Sequence, residues 1–175
     1  GKAAQGVDVR VMYDDLGSIA TYSKENVKNL RQKGIQCIAF NPLTSIRGTL
    51  NYRDHRKMLV IDGKVAFSGG VNLADEYINH VEKFGHWKDI GFRLTGPGVA
   101  NYTRMFVKFW DAFSNIPIPK ELLAETSQPI VETRDGYILS YYDSPLRRQP
   151  VSNELYIELL SQAKDYAWFF TPYLM

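Results

Sequence analysis

The spacing of apolar positions changes repeatedly along this chain, and each change marks an element. Residues 7–13, Val7-Asp8-Val9-Arg10-Val11-Met12-Tyr13, read as a strand, preceded by a glycine at the position that ends a helix. A helix follows over 23–33, with Val27 and Leu30 on one face and Gly34 as its stop. Residues 35–40 form a short buried strand that Asn41-Pro42 breaks, and 43–52 read as a loop. Two strands, 57–61 and 64–68, flank Asp62-Gly63, a two-residue hairpin turn. Residues 87–94 predict another strand. Gly96-Pro97-Gly98 then opens a helix whose Val99, Tyr102, Phe106, Phe109 and Phe113 step by three and four, the stripe of a helix covering a sheet. Pro117, Pro119 and Pro129 mark 114–129 as a connection. Beyond it the pattern predicts a strand at 137–142, a loop through Pro150, a helix over 152–163 with Ser152 as N-cap and Glu154 in its first turn, and a last strand within 166–175. Alternating strands and helices place the chain in the α/β class.

Composition narrows the partners. Twenty-one basic and nineteen acidic side chains leave a net charge of +2, too small to argue for nucleic acid. The lone cysteine, Cys37, excludes an intramolecular disulfide and fits a reducing compartment. No apolar run approaches the roughly 20 residues of a membrane span. Five aromatics in the last ten residues, and a helix-ending glycine as early as Gly6, set the expectation of a piece of a longer, membrane-bound protein.

The chemistry concentrates in residues 54–72. His55 and Lys57 are two apart, so strand alternation puts imidazole and ammonium on one face, with Leu59 and Ile61 expected deeper in the core on that same face. After the hairpin, Gly69-Gly70 let backbone approach closely and Asn72 adds an amide donor. A nucleophile or base, a fixed cation and amide donors around a glycine bend describe an anion site, most simply one for phosphate. The pair His-x-Lys alone carries little weight. It occurs again as His86-Trp87-Lys88, where the position matching Asp62 is Arg93 and no glycine pair follows. The full spacing His-x-Lys-x4-Asp-x6-Gly-Gly-x-Asn arises by chance on the order of once in 10⁸ start positions. The spacing of His80, Glu82, His86 and Asp89 matches no standard zinc site, so no metal is expected there. Arg147-Arg148 reads as a solvated loop pair.

This stretch resembles the HKD motif of the phospholipase D superfamily. Leu50-Asn51-Tyr52-Arg53-Asp54-His55-Arg56-Lys57, leading to Ser68-Gly69-Gly70-Val71-Asn72-Leu73-Ala74-Asp75-Glu76-Tyr77, is similar to its bacterial cardiolipin synthase branch. So are His86-Trp87-Lys88-Asp89 and Leu94-Thr95-Gly96-Pro97. The likeness is close over 36–113 and weaker through Ser161-Gln162-Ala163-Lys164 and Phe170-Thr171-Pro172-Tyr173. Gly70 stands where the superfamily usually has serine, as is common in that branch.

The resemblance implies a layered α/β fold, a mixed sheet flanked by helices. It also implies a division into a first HKD half over 1–113, a connection over 114–129 and the start of a second half from 130 to 175. It implies transfer of a phosphatidyl group between phosphatidylglycerol molecules through a phosphohistidine, without metal or cofactor, at the cytoplasmic face of the cell membrane. Hydrolysis by a phospholipase- or nuclease-type phosphodiesterase is the alternative. By the resemblance, His55 is one of two active-site histidines and Asp89 the acid that orients it. Lys57, Asn72, Gly69 and Gly70 bind phosphate, and Asp62 belongs to the catalytic motif, though as a turn residue it shapes rather than touches. The implied partners are the anionic lipid and a second HKD half. A dimer of this piece is a further possibility, and no nucleic acid is expected.

Overall fold

The computed structural model describes residues 1–18, 22–42, 53–83, 85–121, 138–143 and 150–169. They fall into two compact units, Gly1–Ile138 and Leu139–Met175. Within the first unit, a short 3-10 turn over Ala3–Gln5 ends at Gly6 in the left-handed region, φ 87°. Strand β1 (Arg10–Asp14), helix α1 (Lys24–Gln32) and strand β2 (Gln36–Phe40) then form a β-α-β unit whose strands pair in parallel, Arg10 opposite Gln36 and Asp14 opposite Phe40. Helix α1 starts where Ser23 Oγ accepts the Asn26 amide, and it stops at Gly34, φ 79°. Val27 supplies its buried contact, and the Arg31 guanidinium donates twice to the Cys37 carbonyl, tying helix to strand.

Strands β3 (Lys57–Ile61), β4 (Val65–Gly69) and β5 (Gly91–Thr95) make an antiparallel ladder. Asp62 and Gly63 carry φ of 52° and 63°, the left-handed pair that joins a tight hairpin without splaying its strands. Helix α2 (Val99–Phe113) packs against both ladders. Val99 is fully buried against Ala66 and Leu94 of the antiparallel ladder. Phe109 and Phe113 lie 5.7 and 4.7 Å from the Phe40 ring of the parallel pair. Trp110 is wholly buried, its indole donating to the Ile116 carbonyl at 2.7 Å, with Arg10 stacked 5.1 Å above the ring. Each such buried side chain contributes about 1.5–3 kcal/mol through its apolar surface alone.

Three expectations are corrected here. The strand expected at 87–94 begins only at Gly91, because the residues before it are taken up in closing a loop: Trp87 exchanges two hydrogen bonds with the Asn79 side chain. Leu59 and Ile61 are 54% and 43% exposed instead of lying in the core. Helix α2 covers the opposite face of the strand, where Val60 packs on Ala66 and Leu94. The buried stripe of α2 runs through Val99, Ala100, Thr103, Met105, Phe109 and Trp110, which leaves Phe113 partly exposed.

In the second unit, helix α3 (Val151–Gln162) has Pro150 at its N-cap. Ser152 is therefore inside the helix, and its amide donates to the Asp143 carboxylate at 3.1 Å. The Ser152 side chain, and after it that backbone bond, lowers the Asp143 pKa. Residues 138–143 and 166–169 are not strands, since an apolar run becomes one only where a neighbour takes up its backbone bonds. The loop at 43–52, the pair Arg147-Arg148, the second half of the connection at 114–129 and Phe170–Tyr173 lie outside the described residues.

The sheet explains one glycine. A Cβ at Gly69 would stand 2.3 Å from the Ile90 carbonyl oxygen and 2.7 Å from the Gly91 Cα, both backbone atoms. Gly69→Ala is expected to destabilise the chain by about 1–3 kcal/mol, the usual cost of forcing atoms into a packed site. A denaturant melt checks this, and an unchanged midpoint would show that β4 and β5 separate freely.

Candidate active site

Strand β3 begins at Lys57, so the direction of His55 is set by what holds residues 53–56. Asp54 Oδ1 accepts the Arg56 amide, and both carboxylate oxygens grip the Arg56 guanidinium at 2.8 and 2.6 Å. That guanidinium sits 4.1 Å from the centre of the Phe109 ring on α2. Asp54 and Arg56 thus engage each other on the helix side, the side that Val60 also faces. Alternation within β3 puts Lys57 on the face opposite Val60, and the Lys57 charge bears on the His55 imidazole. The Lys57 ammonium donates to the His55 carbonyl at 2.5 Å, which places the cation against the residue that bears the imidazole.

The sheet brings the glycines to the same level. Lys57 pairs with Gly69, and Gly69 with Gly91. One residue further, Gly70 donates to the Ile90 carbonyl at 3.0 Å. A Cβ at Gly70 would lie 2.2 Å from Asp89 Oδ1, so the missing side chain is the seat of the Asp89 carboxylate. Asn72, half-buried, follows two residues on. Among the described residues no hydrogen bond engages its side-chain amide.

The electrostatics follow from this geometry. His55 is exposed as a residue, yet burial of part of its ring, then the Lys57 charge, push its pKa below 6.5, against the opposing pull of Asp54 and Asp14. The neutral imidazole, the form with a lone pair to donate, is therefore favoured near neutral pH. Since the folded state resists protonation, this group's contribution to stability is present above the unfolded pKa of about 6.5 and is lost as pH falls through the lowered folded value. Partial burial also lowers the Lys57 pKa, while Asp54 and Asp89 favour its ammonium form.

One sequence expectation is not met. Asp89 does not hydrogen-bond the His55 ring among the described residues. Its carboxylate accepts from its own neighbour Ile90 N at 2.7 Å and from the Trp87 indole at 3.3 Å. Loop closure at Trp87 turns it toward Gly70, and its charge reaches Lys57 instead. Asp62 occupies the hairpin turn at the far end of β3, about 16 Å from Lys57 at the usual strand rise. That is the position of a residue that shapes the motif rather than touches substrate. His80 and His86, both exposed, lie in the stretch around the loop that Asn79 closes. Sequence reasoning missed Asp14, Arg53, Asp54 and Arg56. For the last three the signal was present in the charged run Arg53-Asp54-His55-Arg56-Lys57, while Asp14 left none.

The site generates a prediction about charge. Replacing Lys57 by Met removes a cation that lowers the His55 pKa, so the His55 titration, followed by ring-carbon NMR, is expected to move to higher pH. A shift to lower pH, or none, would show that Lys57 does not face the imidazole.

Residues 2–106 match the family described as cardiolipin synthase, PLD-like domain. The chain is 46% identical over 175 residues to an uncharacterized protein of Streptococcus mutans, covering 99% of this chain and 38% of that protein. It is 34% identical over 176 residues to a cardiolipin synthase of Alkalihalophilus pseudofirmus, covering 99% of this chain and 35% of the relative. A probable cardiolipin synthase of Bacillus subtilis is 34% identical over 177 residues, again across 99% of this chain and 34% of the relative. The chain thus spans between 34% and 38% of the length of these relatives. With the family matched across the whole antiparallel ladder and most of α2, the chain belongs to the phospholipase D-like cardiolipin synthase family.

Proposed function

We propose that this chain is one catalytic half of a phosphatidyltransferase that joins two phosphatidylglycerol molecules through a phosphohistidine on His55. The observation that carries this reading is the closeness of Lys57 to His55, its ammonium on the His55 carbonyl and its charge felt by the imidazole, at the glycine-rich end of the ladder. In the proposed step, a neutral His55 nitrogen attacks the phosphorus of one phosphatidylglycerol. The bond from phosphorus to the glycerol oxygen breaks, and a second histidine from the other half protonates the leaving glycerol. That histidine then takes the proton from a hydroxyl of the second phosphatidylglycerol, whose oxygen displaces His55 and forms cardiolipin. Lys57 and the Asn72 amide stabilise the non-bridging oxygens as charge builds. Asp89, seated by Gly70, supports the Lys57 charge. The lipid substrate places the working protein at a membrane, although no helix among the described residues is long and apolar enough to cross one.

The division of labour sets the test. In the full-length protein on phosphatidylglycerol vesicles, cardiolipin and glycerol are expected in equal amounts, with EDTA present. His55→Ala is expected to abolish both. Chain 1–175 alone should lack this turnover, because losing the partner acid costs about 10²–10⁴ in rate. Phosphatidic acid in place of cardiolipin would make the enzyme a hydrolase. Activity lost to EDTA and restored by one divalent ion would overturn the reading, as would a His55-dependent rate from monomeric chain 1–175.

A further inference from the structure

Outside the motif, one carboxylate is both buried and aimed at it. Asp14 closes β1, and its side chain is only 7% exposed. Oδ1 accepts the Gly17 amide at 2.8 Å, and Arg53 Nη1 lies 3.4 Å from the same oxygen. Oδ2 accepts the backbone amide of Asp54 at 2.8 Å, across forty residues of sequence. Arg53 also donates to the Asn41 carbonyl at 3.1 Å, next to the end of β2. The residue immediately before His55 is thus tied to the parallel pair by its backbone, while the residue immediately after it is tied to α2 through Phe109.

We propose that Asp14 is a positioning residue for His55: its carboxylate takes the Asp54 backbone N–H and so fixes where the next residue presents its imidazole. This rests on the reading of His55 as nucleophile. A buried carboxylate is costly unless its oxygens are satisfied. Here they are satisfied by two backbone amides and a guanidinium, none of which is substrate. An alanine would leave both amides without an acceptor. The charges gathered around His55 are Lys57, which disfavours the imidazolium, and Asp54 and Asp14, which favour it. Arg56 partly offsets Asp54, and Arg53 partly offsets Asp14. Asp14 therefore acts twice, holding the backbone and tempering the loss of basicity that burial and Lys57 impose.

The test is NMR on the 175-residue chain, with no lipid present. Asp14→Asn keeps the shape but removes the charge and one of the two acceptors. The His55 ring titration is expected to move to lower pH and the Asp54 amide to exchange faster, while the ring signals of His80 and His86 stay in place. Asp15→Asn, one residue along, should do neither. A second measurement needs no variant: in the unmutated chain the Asp54 amide is expected to exchange slowly with solvent, as a donor held by a buried carboxylate does. In turnover by the full-length protein, Asp14→Asn is expected to lower kcat about 10–100-fold, as small misplacements of a reacting group do, with the acid limb of kcat/KM moving to lower pH. A folded Asp14→Asn chain with an unmoved His55 titration overturns the proposal, as does an Asp54 amide that exchanges as fast in the unmutated chain as in Asp14→Asn. Coupling seen by NMR in a protein that never transfers phosphatidyl groups would instead overturn the proposed activity and leave the positioning role intact.

Discussion

The start of the motif strand depends on one anchored residue just before it, Arg56. Its guanidinium is held between the Asp54 carboxylate and the face of Phe109, a charge-assisted pair on one side and a cation–π contact on the other. The aromatic partner is itself fixed in the buried stripe of α2. With Arg56 committed to the helix, Lys57 enters β3 on the opposite face from Val60, and its charge bears on His55. Helix α2 is therefore more than a cover for the sheet. It sets the polarity of the motif strand, and through Phe40 it relates that strand to the parallel pair that carries Asp14.

The glycine pair does two separate jobs. Gly69 lets the backbones of β4 and β5 approach, where any side chain would meet main-chain atoms. At Gly70 the nearest atoms a side chain would meet are those of the Asp89 carboxylate, the movable end of a side chain. The first glycine belongs to the fold and the second to the electrostatics around Lys57. This distinction gives a physical meaning to glycine at a position where the superfamily usually has serine: the carboxylate and a larger side chain compete for one space.

Much of this was legible in the sequence, for reasons that differ by element. The hairpin was explicit because Asp62-Gly63 suits few other conformations, and α1 because Ser23 and Gly34 bracket it. His55 and Lys57 followed from spacing. Which face of β3 is covered was not legible, since Met58 and Val60 are as apolar as Leu59 and Ile61. Only the packing of Val99 on Ala66 decides it. Asp89 was placed on a strand by its apolar surroundings, but a local bond to Ile90 and the Asn79–Trp87 closure hold it in a loop. Ser152 looked like a cap, yet the acceptor at that helix start is Asp143, nine residues earlier. Asp14 was invisible, because its partner in the motif is a backbone amide, which leaves no trace in residue type.

The central claim is that His55 carries the phosphatidyl group. The most direct measurement is to quench the full-length protein during turnover of phosphatidylglycerol and map the acid-labile adduct by mass spectrometry. The account predicts a phosphatidyl group on a ring nitrogen of His55, absent from His55→Ala. Turnover with the adduct on another histidine, and His55 unmodified throughout, would contradict it.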